Sequence, residues 1–157
     1  MDPLVAPHAQ GEPDGLYYKI DAQHKQHNKG RPTKNDAGKV SEGPGSCFFM
    51  VTKGVLVTPM LTDSVLESIT RDTVIQLAKM LGIPVQERTV DRTELYACEE
   101  AFLCGSAMEI TPVLSVDRYT VGDGTAGEMT RRLHKAYLDA AMGKDERFAS
   151  WITPIYE

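Results

Sequence analysis

Three short stretches of this chain carry residues able to hold a small charged ligand. Ser41-Glu42-Gly43-Pro44-Gly45 sets one carboxylate in a glycine-rich turn, where a ligand can approach the backbone that a side chain would otherwise block. Ser68-Ile69-Thr70-Arg71-Asp72 opens a segment whose apolar residues recur with helical spacing. The first turn of a helix leaves backbone N–H groups without partners at its positive end, and with a hydroxyl they form an anion site. Gly105-Ser106-Ala107 follows the apolar stretch Ala101-Phe102-Leu103-Cys104, and a loop at the end of a buried strand presents its amides to a ligand. Each stretch also has a plainer reading: Glu42 as a surface-turn acid, Thr70 as an N-cap, and Gly105-Ser106-Ala107 as a simple turn.

Other chemistry-bearing residues point less far. His24-Lys25-Gln26-His27 offers two imidazoles with no third ligand nearby, so no metal site is expected. Cys47, Cys98 and Cys104 are odd in number and lack a short paired spacing, which argues against a disulfide framework or a zinc site and for reduced thiols. No histidine is evidently paired with Cys47, so a catalytic thiol is not expected. Arg71 and Asp72 fit a structural role in the first helical turn, Arg131-Arg132 fit a solvated helix face, and Met108 fits a place beside a strand.

The elements that must position these residues begin at Val40. Cys47 to Thr52 and Val55 to Thr58, joined by Lys53-Gly54, read as a β-hairpin. Val74, Ile75, Leu77, Ala78 and Leu81 mark a helix that Ser68 or Thr70 can cap and Gly82 ends. Val85 to Val90 reads as an exposed strand, Arg92 to Ala97 as a short helix, and Ala101 to Cys104 as a buried strand. A second hairpin joins Glu109–Val116 to Tyr119–Val121 through Asp117-Arg118, with Pro112 suited to an edge or bulge. A helix from Gly127 to Met142 closes the pattern, and the alternation places the fold in the α/β or α+β class.

Ahead of this region the composition changes. Residues 1–38 are polar and rich in Gly, Pro, His and Lys apart from Gly15-Leu16-Tyr17-Tyr18-Lys19-Ile20, and they read as a disordered arm, with residues 39–157 as the folded domain. The 157 residues, 41% hydrophobic and 25% charged, suffice for one domain with a core. No window has the apolar length of a membrane span, and Asp2, Glu12 and Asp14 stand where a signal sequence would be basic and then apolar, so a cytoplasmic location is expected. A net charge of -5 argues against general nucleic-acid or anionic-membrane binding and leaves room for a small anion.

From Ser41 onward the chain resembles the branched-chain aminotransferases of the class IV pyridoxal-phosphate enzymes. The resemblance rests on Ser41-Glu42-Gly43-Pro44-Gly45 with Phe48-Phe49, Gly54-Val55-Leu56-Val57-Thr58-Pro59, Ile69-Thr70-Arg71-Asp72, Gly105-Ser106-Ala107-Met108-Glu109-Ile110-Thr111-Pro112-Val113, Gly122-Asp123-Gly124 and Thr130-Arg131-Arg132-Leu133, in family order. It implies the large C-terminal domain of fold type IV, the D-amino-acid and branched-chain aminotransferase-like fold, with pyridoxal 5'-phosphate as cofactor. It further implies transfer of an amino group between leucine, isoleucine or valine and 2-oxoglutarate, and a homodimer; a heterodimer with a full-length relative is the other partner expected.

Carried over residue by residue, the resemblance gives Glu42 the cofactor ring nitrogen, and Gly45, Ile69, Thr70 and Ser106 the phosphate. Ser106 and Ala107 take the substrate carboxylate. Serine at 106 replaces the threonine of many relatives and keeps the hydroxyl, whereas Cys47 replaces a frequent asparagine. The family's Schiff-base lysine lies a helix and a strand ahead of the glutamate, and no lysine from Lys19 to Lys39 has its surrounding motif or distance. No catalytic residue is therefore identifiable, and the expectation is a cofactor-binding piece that is catalytically incomplete alone. The alternative is a non-catalytic cofactor-binding or dimerisation module derived from such an enzyme.

Overall fold

Strand β2 (Cys47–Thr52) is an unbroken apolar run, and an unbroken run fits a strand covered on both faces. In the computed structural model it forms the centre of a sheet of seven strands among the described residues. The structure describes residues 18–20, 35, 37–43 and 45–153. Lys53 and Gly54, both with positive φ, turn β2 back into β3 (Val55–Thr58), as Gly allows at little cost. Thr58 Oγ1 donates to the Phe48 carbonyl at 2.8 Å inside this hairpin.

Helix α1 (Ile69–Met80) starts at Ser68, whose hydroxyl accepts from the Arg71 amide at 3.3 Å, so Ser68 rather than Thr70 is the N-cap. Gly82, at φ 72, ends the helical path and lets the chain enter β4 (Val85–Glu87), parallel to β3. The expected exposed strand stops at Glu87, short of Val90; beyond it the Arg88 guanidinium pairs with Glu94 of a 3-10 turn at Arg92–Tyr96. Strand β5 (Glu100–Gly105) and β6 (Glu109–Val116) then pair antiparallel with one another, and β7 (Tyr119–Thr120) folds back onto β6. Gly105-Ser106-Ala107 is thus the turn of a hairpin. Helix α2 (Glu128–Ala141) is tied to the sheet by Glu100, whose carboxylate accepts from the Met129 and Thr130 amides at 3.0 and 2.8 Å and from Thr130 Oγ1 at 2.7 Å.

A strand β1 (Tyr18–Ile20) runs parallel to β6 and completes the sheet order β1-β6-β5-β2-β3-β4. This segment lies within the arm expected to be disordered. Its aromatic and β-branched sequence has the β propensity the polar residues around it lack. The metal-ligand pair His24 and His27 lies outside the described residues. Pro112 is the register partner of Phe102 on the β5 side, and pairing with β1 begins only at Val113, so Pro112 stands just ahead of the β1 pairing.

The sheet divides the interior in two. On one face Cys47, Phe49, Val51, Phe102 and Cys104 pack under Val74, Leu77 and Ala78 of α1 and Leu133 of α2. On the other, Phe48, Met50, Ala101, Leu103 and Val113 pack with Val40, Val90 and Leu95. Phe49 and Phe102 are register partners on adjacent strands, and their rings stack at 5.0 Å between centroids. Losing either ring costs about 3–5 kcal/mol. This rigid centre fixes the strand ends from which the candidate site is built.

Candidate functional site

Because β2 and β5 are antiparallel with Cys47 opposite Cys104, the start of β2 and the end of β5 lie at the same end of the sheet. Three loops meet there. The first is the turn from Gly43 to Ser46, closed by a 2.7 Å bond from the Gly43 amide to the Ser46 carbonyl and a 3.1 Å bond in return. Gly45 holds φ 70 in that turn. The second is the approach to α1, held to the first by the Leu66 amide donating to Glu42 Oε2 at 2.8 Å and by Ser41 Oγ donating to the Ser64 carbonyl at 2.8 Å. The third is the turn after β5, where the Met108 amide donates to the Gly105 carbonyl at 3.1 Å.

The first and third loops touch. A Cβ on Gly105 would stand 2.7 Å from the Gly45 carbonyl oxygen, closer than any side chain tolerates, so glycine at 105 permits the backbones to meet. Ser106 and Ala107 follow directly and are exposed. Glu42, Gly45, Ser106 and Ala107 therefore share one end of the sheet with the N-terminus of α1.

At that N-terminus the Ser68 hydroxyl takes the Arg71 amide and the Ser68 carbonyl takes the Asp72 amide. The amides of Ile69 and Thr70 have no acceptor among the described residues. An anion against these two groups is stabilised by about 0.3–2 kcal/mol of helix-terminus electrostatics. Ile69 presents only its backbone to such an anion, since its side chain is 89% exposed. Thr70 is buried.

Sequence reasoning gave no site role to three further residues here. Ser46 is buried, and its hydroxyl oxygen lacks a hydrogen-bond partner among the described residues, a costly condition that a polar ligand would relieve. Arg71 is buried, donating from Nη2 to the Pro59 carbonyl at 2.9 Å and to Glu87 at 2.8 Å, which locks the first turn of α1 to the ends of β3 and β4. Cys104 faces Cys47; its thiol, followed by the Ser68 hydroxyl and the Arg71 charge, holds the Cys47 thiol below its ordinary range, and Cys104 itself is held well above. The signal for Ser46 was adjacency to Gly45, but burial is not readable from a serine. The Cys47–Cys104 pairing needs strand register, which the spacing alone does not supply.

The remaining candidates lie elsewhere or act structurally. Arg131 and Arg132 are exposed on α2, and Met108 packs against the core behind the β5–β6 turn. Among the described residues no group of three or more His, Cys, Asp or Glu side chains is placed to hold a metal ion, and no helix is long and apolar enough to cross a membrane.

Comparison with known proteins puts this geometry in context. The branched-chain-amino-acid aminotransferase of Salmonella typhimurium is 46% identical over 118 residues, which are 75% of this chain and 38% of that protein. The branched-chain amino acid aminotransferase from Thermobaculum terrenum, solved in its PLP form, superposes with a TM-score of 0.78 at 51% identity, over 81% of this chain and 42% of that one. The branched-chain aminotransferase from the thermophilic archaeon Thermoproteus uzoniensis, solved with norvaline, gives 0.77 at 44% identity, over 80% and 41%. The chain thus spans about two fifths of the length of the relatives it matches. The described sheet and helices have the fold of the fold type IV branched-chain aminotransferases, and the family profile described as Amino-transferase class IV covers residues 19–116, from β1 through the β5–β6 turn to the end of β6. Since that span is more than half of the chain and contains all three converging loops, the chain belongs to the class IV aminotransferase family.

Proposed function

We propose that this chain supplies the cofactor-holding part of a branched-chain-type aminotransferase, with pyridoxal 5'-phosphate as the bound group. The observation that carries the reading is the meeting of the Gly43–Ser46 turn, the α1 N-terminus and the Gly105–Met108 turn at one end of the sheet. The residues present fit the group. The two amides at Ile69 and Thr70, the hydroxyl of Ser106 and the glycine approach at Gly45 suit a phosphate, and the Ser46 hydroxyl, without a partner among the described residues, marks a buried polar position next to Gly45 in the chain.

When bound, the cofactor supplies an electron sink for the carbon that loses its proton. The protein's share is placement and charge. Glu42, held by the Leu66 amide, would keep a proton on the cofactor's ring nitrogen, and the Ile69 and Thr70 amides with the Ser106 hydroxyl would hold its phosphate. The amides of Ser106 and Ala107 receive the α-carboxylate of leucine, isoleucine or valine, and 2-oxoglutarate takes the amino group. Moving the proton needs an amine base at the reacting carbon, and no lysine of this chain stands in the family's motif. The chain alone is therefore read as binding without turnover. Glutamate formation from leucine and 2-oxoglutarate, with pyridoxal phosphate present, is the test: none is expected, and robust turnover overturns the incompleteness.

A second reading, a non-catalytic module that pairs with a full-length relative, draws on Leu66 and Ile69, exposed 69% and 89% beside the site. Size-exclusion chromatography of the mixture decides it: a mixed dimer supports the reading, and separate elution removes it.

A further inference from the structure

We propose that Cys47 and Cys104 form a site of reversible oxidation, a cross-strand thiol pair that closes to a disulfide on reaction with a peroxide and ties β2 to β5 at the root of the two touching loops. The pairing is geometric. Cys47 and Cys104 are direct register partners in an antiparallel ladder. Residues so opposed stand about 4.5–5.5 Å apart at Cα, inside the roughly 4.4–6.8 Å that a disulfide spans. Side chains directly opposite share one sheet face, and both cysteines belong to the cluster under α1. Both are free thiols, and both are buried beneath the loops at this end of the sheet, so peroxide must reach Cys47 from the loop side.

Their surroundings make the two sulfurs unequal. Around Cys47 stand the Cys104 thiol, the Ser68 hydroxyl and the guanidinium of Arg71, with burial and Glu42 opposing them; the balance makes Cys47 the more readily ionised of the two and Cys104 the one that keeps its proton. Cys98 serves as an internal contrast. It lies on the opposite face of the sheet, its thiol donates to the Leu95 carbonyl at 3.4 Å, and burial pushes it up to about 11.

The chemistry balances with hydrogen peroxide as the oxidant. The Cys47 thiolate attacks one peroxide oxygen, the O–O bond breaks, and hydroxide leaves, giving a sulfenic acid at Cys47. The Cys104 sulfur then attacks the Cys47 sulfur, the S–O bond breaks, and the Cys104 proton joins the departing hydroxide as water. In sum two thiols and one peroxide give one disulfide and two waters, with two electrons passed to the peroxide.

The new bond joins the strand leading out of the Gly43–Ser46 turn to the strand leading into Gly105-Ser106-Ala107, so its effect on cofactor binding rests on the function proposed above. The bond itself does not.

The test treats the folded full chain with hydrogen peroxide, alkylates it in denaturant and maps its peptides by mass spectrometry. The expected result is a mass loss of two hydrogens, a linked Cys47–Cys104 peptide, alkylated Cys98, and full reversal by dithiothreitol. Cys98→Ser keeps the link, and Cys104→Ser leaves Cys47 open to a sulfenic-acid probe. Absence of the link in chain that circular dichroism shows to be folded, a link through Cys98, or a link formed only in urea overturns the proposal. A parallel arm with excess pyridoxal phosphate separates the two readings. Oxidation slowed several-fold supports the cradle above the thiols, whereas an unchanged rate counts against the cradle and leaves the thiol pair standing.

Discussion

Gly105→Ala tests whether the contact between the first and third loops is needed. The added Cβ would meet the Gly45 carbonyl oxygen at 2.7 Å, and both partners are backbone. Neither can swing aside: Cys104 is paired to Cys47 and Gly105 to Glu109 within the sheet, and the Gly43–Ser46 turn is closed by its own two bonds. Relief requires the loops to part by several tenths of an ångström, and overpacking of this kind costs about 1–3 kcal/mol. If the loops hold, the cost falls on folding and lowers the urea midpoint. If they part, it falls on the ligand that needs them closed, and about 1–3 kcal/mol becomes a roughly 5- to 150-fold weaker cofactor Kd. Urea denaturation by circular dichroism and a cofactor titration, run on the same preparation, capture both. A variant with unchanged midpoint and unchanged Kd would refute the claim that this approach builds the site.

Glu42→Gln keeps an oxygen to accept from the Leu66 amide but removes the charge, so the urea midpoint should hold while cofactor affinity falls by about 10-fold or more, the worth of a charged hydrogen bond; equal affinity would remove Glu42 from the ring nitrogen. Glu100→Ala strips three acceptor contacts from the start of α2 and should cost roughly 2 kcal/mol, or about 4–8 °C in Tm by scanning calorimetry. A Tm within error of the parent chain would show that α2 is anchored by its apolar face alone. Cys98 is buried as a neutral thiol with its pKa raised from 9.0 to about 11, so its contribution to stability is full below 9.0 and drains away as pH rises towards 11. Cys98→Ala should therefore flatten the fall in urea midpoint across that window, and an identical alkaline slope in both proteins would contradict it.

Much of the scaffold was legible because its signals are local. The Lys53-Gly54 turn between two apolar runs specifies the first hairpin, and the spacing of Val74, Leu77 and Ala78 specifies α1. Long-range pairing was not legible. Nothing in Tyr18-Lys19-Ile20 names β6 as its partner, and the polar residues around it masked a strand whose pairing comes from another part of the chain. The motifs around Glu42, Thr70 and Ser106 marked positions through their resemblance to family blocks, yet their convergence depends on β2 and β5 being antiparallel neighbours in one register. The surroundings of Ser46, Arg71 and Cys104 escaped for the same reason, since burial and facing partners arise only when distant segments meet.

The account stands most directly on whether the three loops bind a phosphorylated pyridine. Pyridoxamine 5'-phosphate is the cleanest probe, because its amine cannot condense with surface lysines and binding reports the cradle alone. Isothermal titration of the full chain should show saturable one-to-one binding that is lost with pyridoxamine lacking the phosphate and weakened in Gly105→Ala. Heats that never saturate, or equal binding with and without the phosphate, would contradict the account.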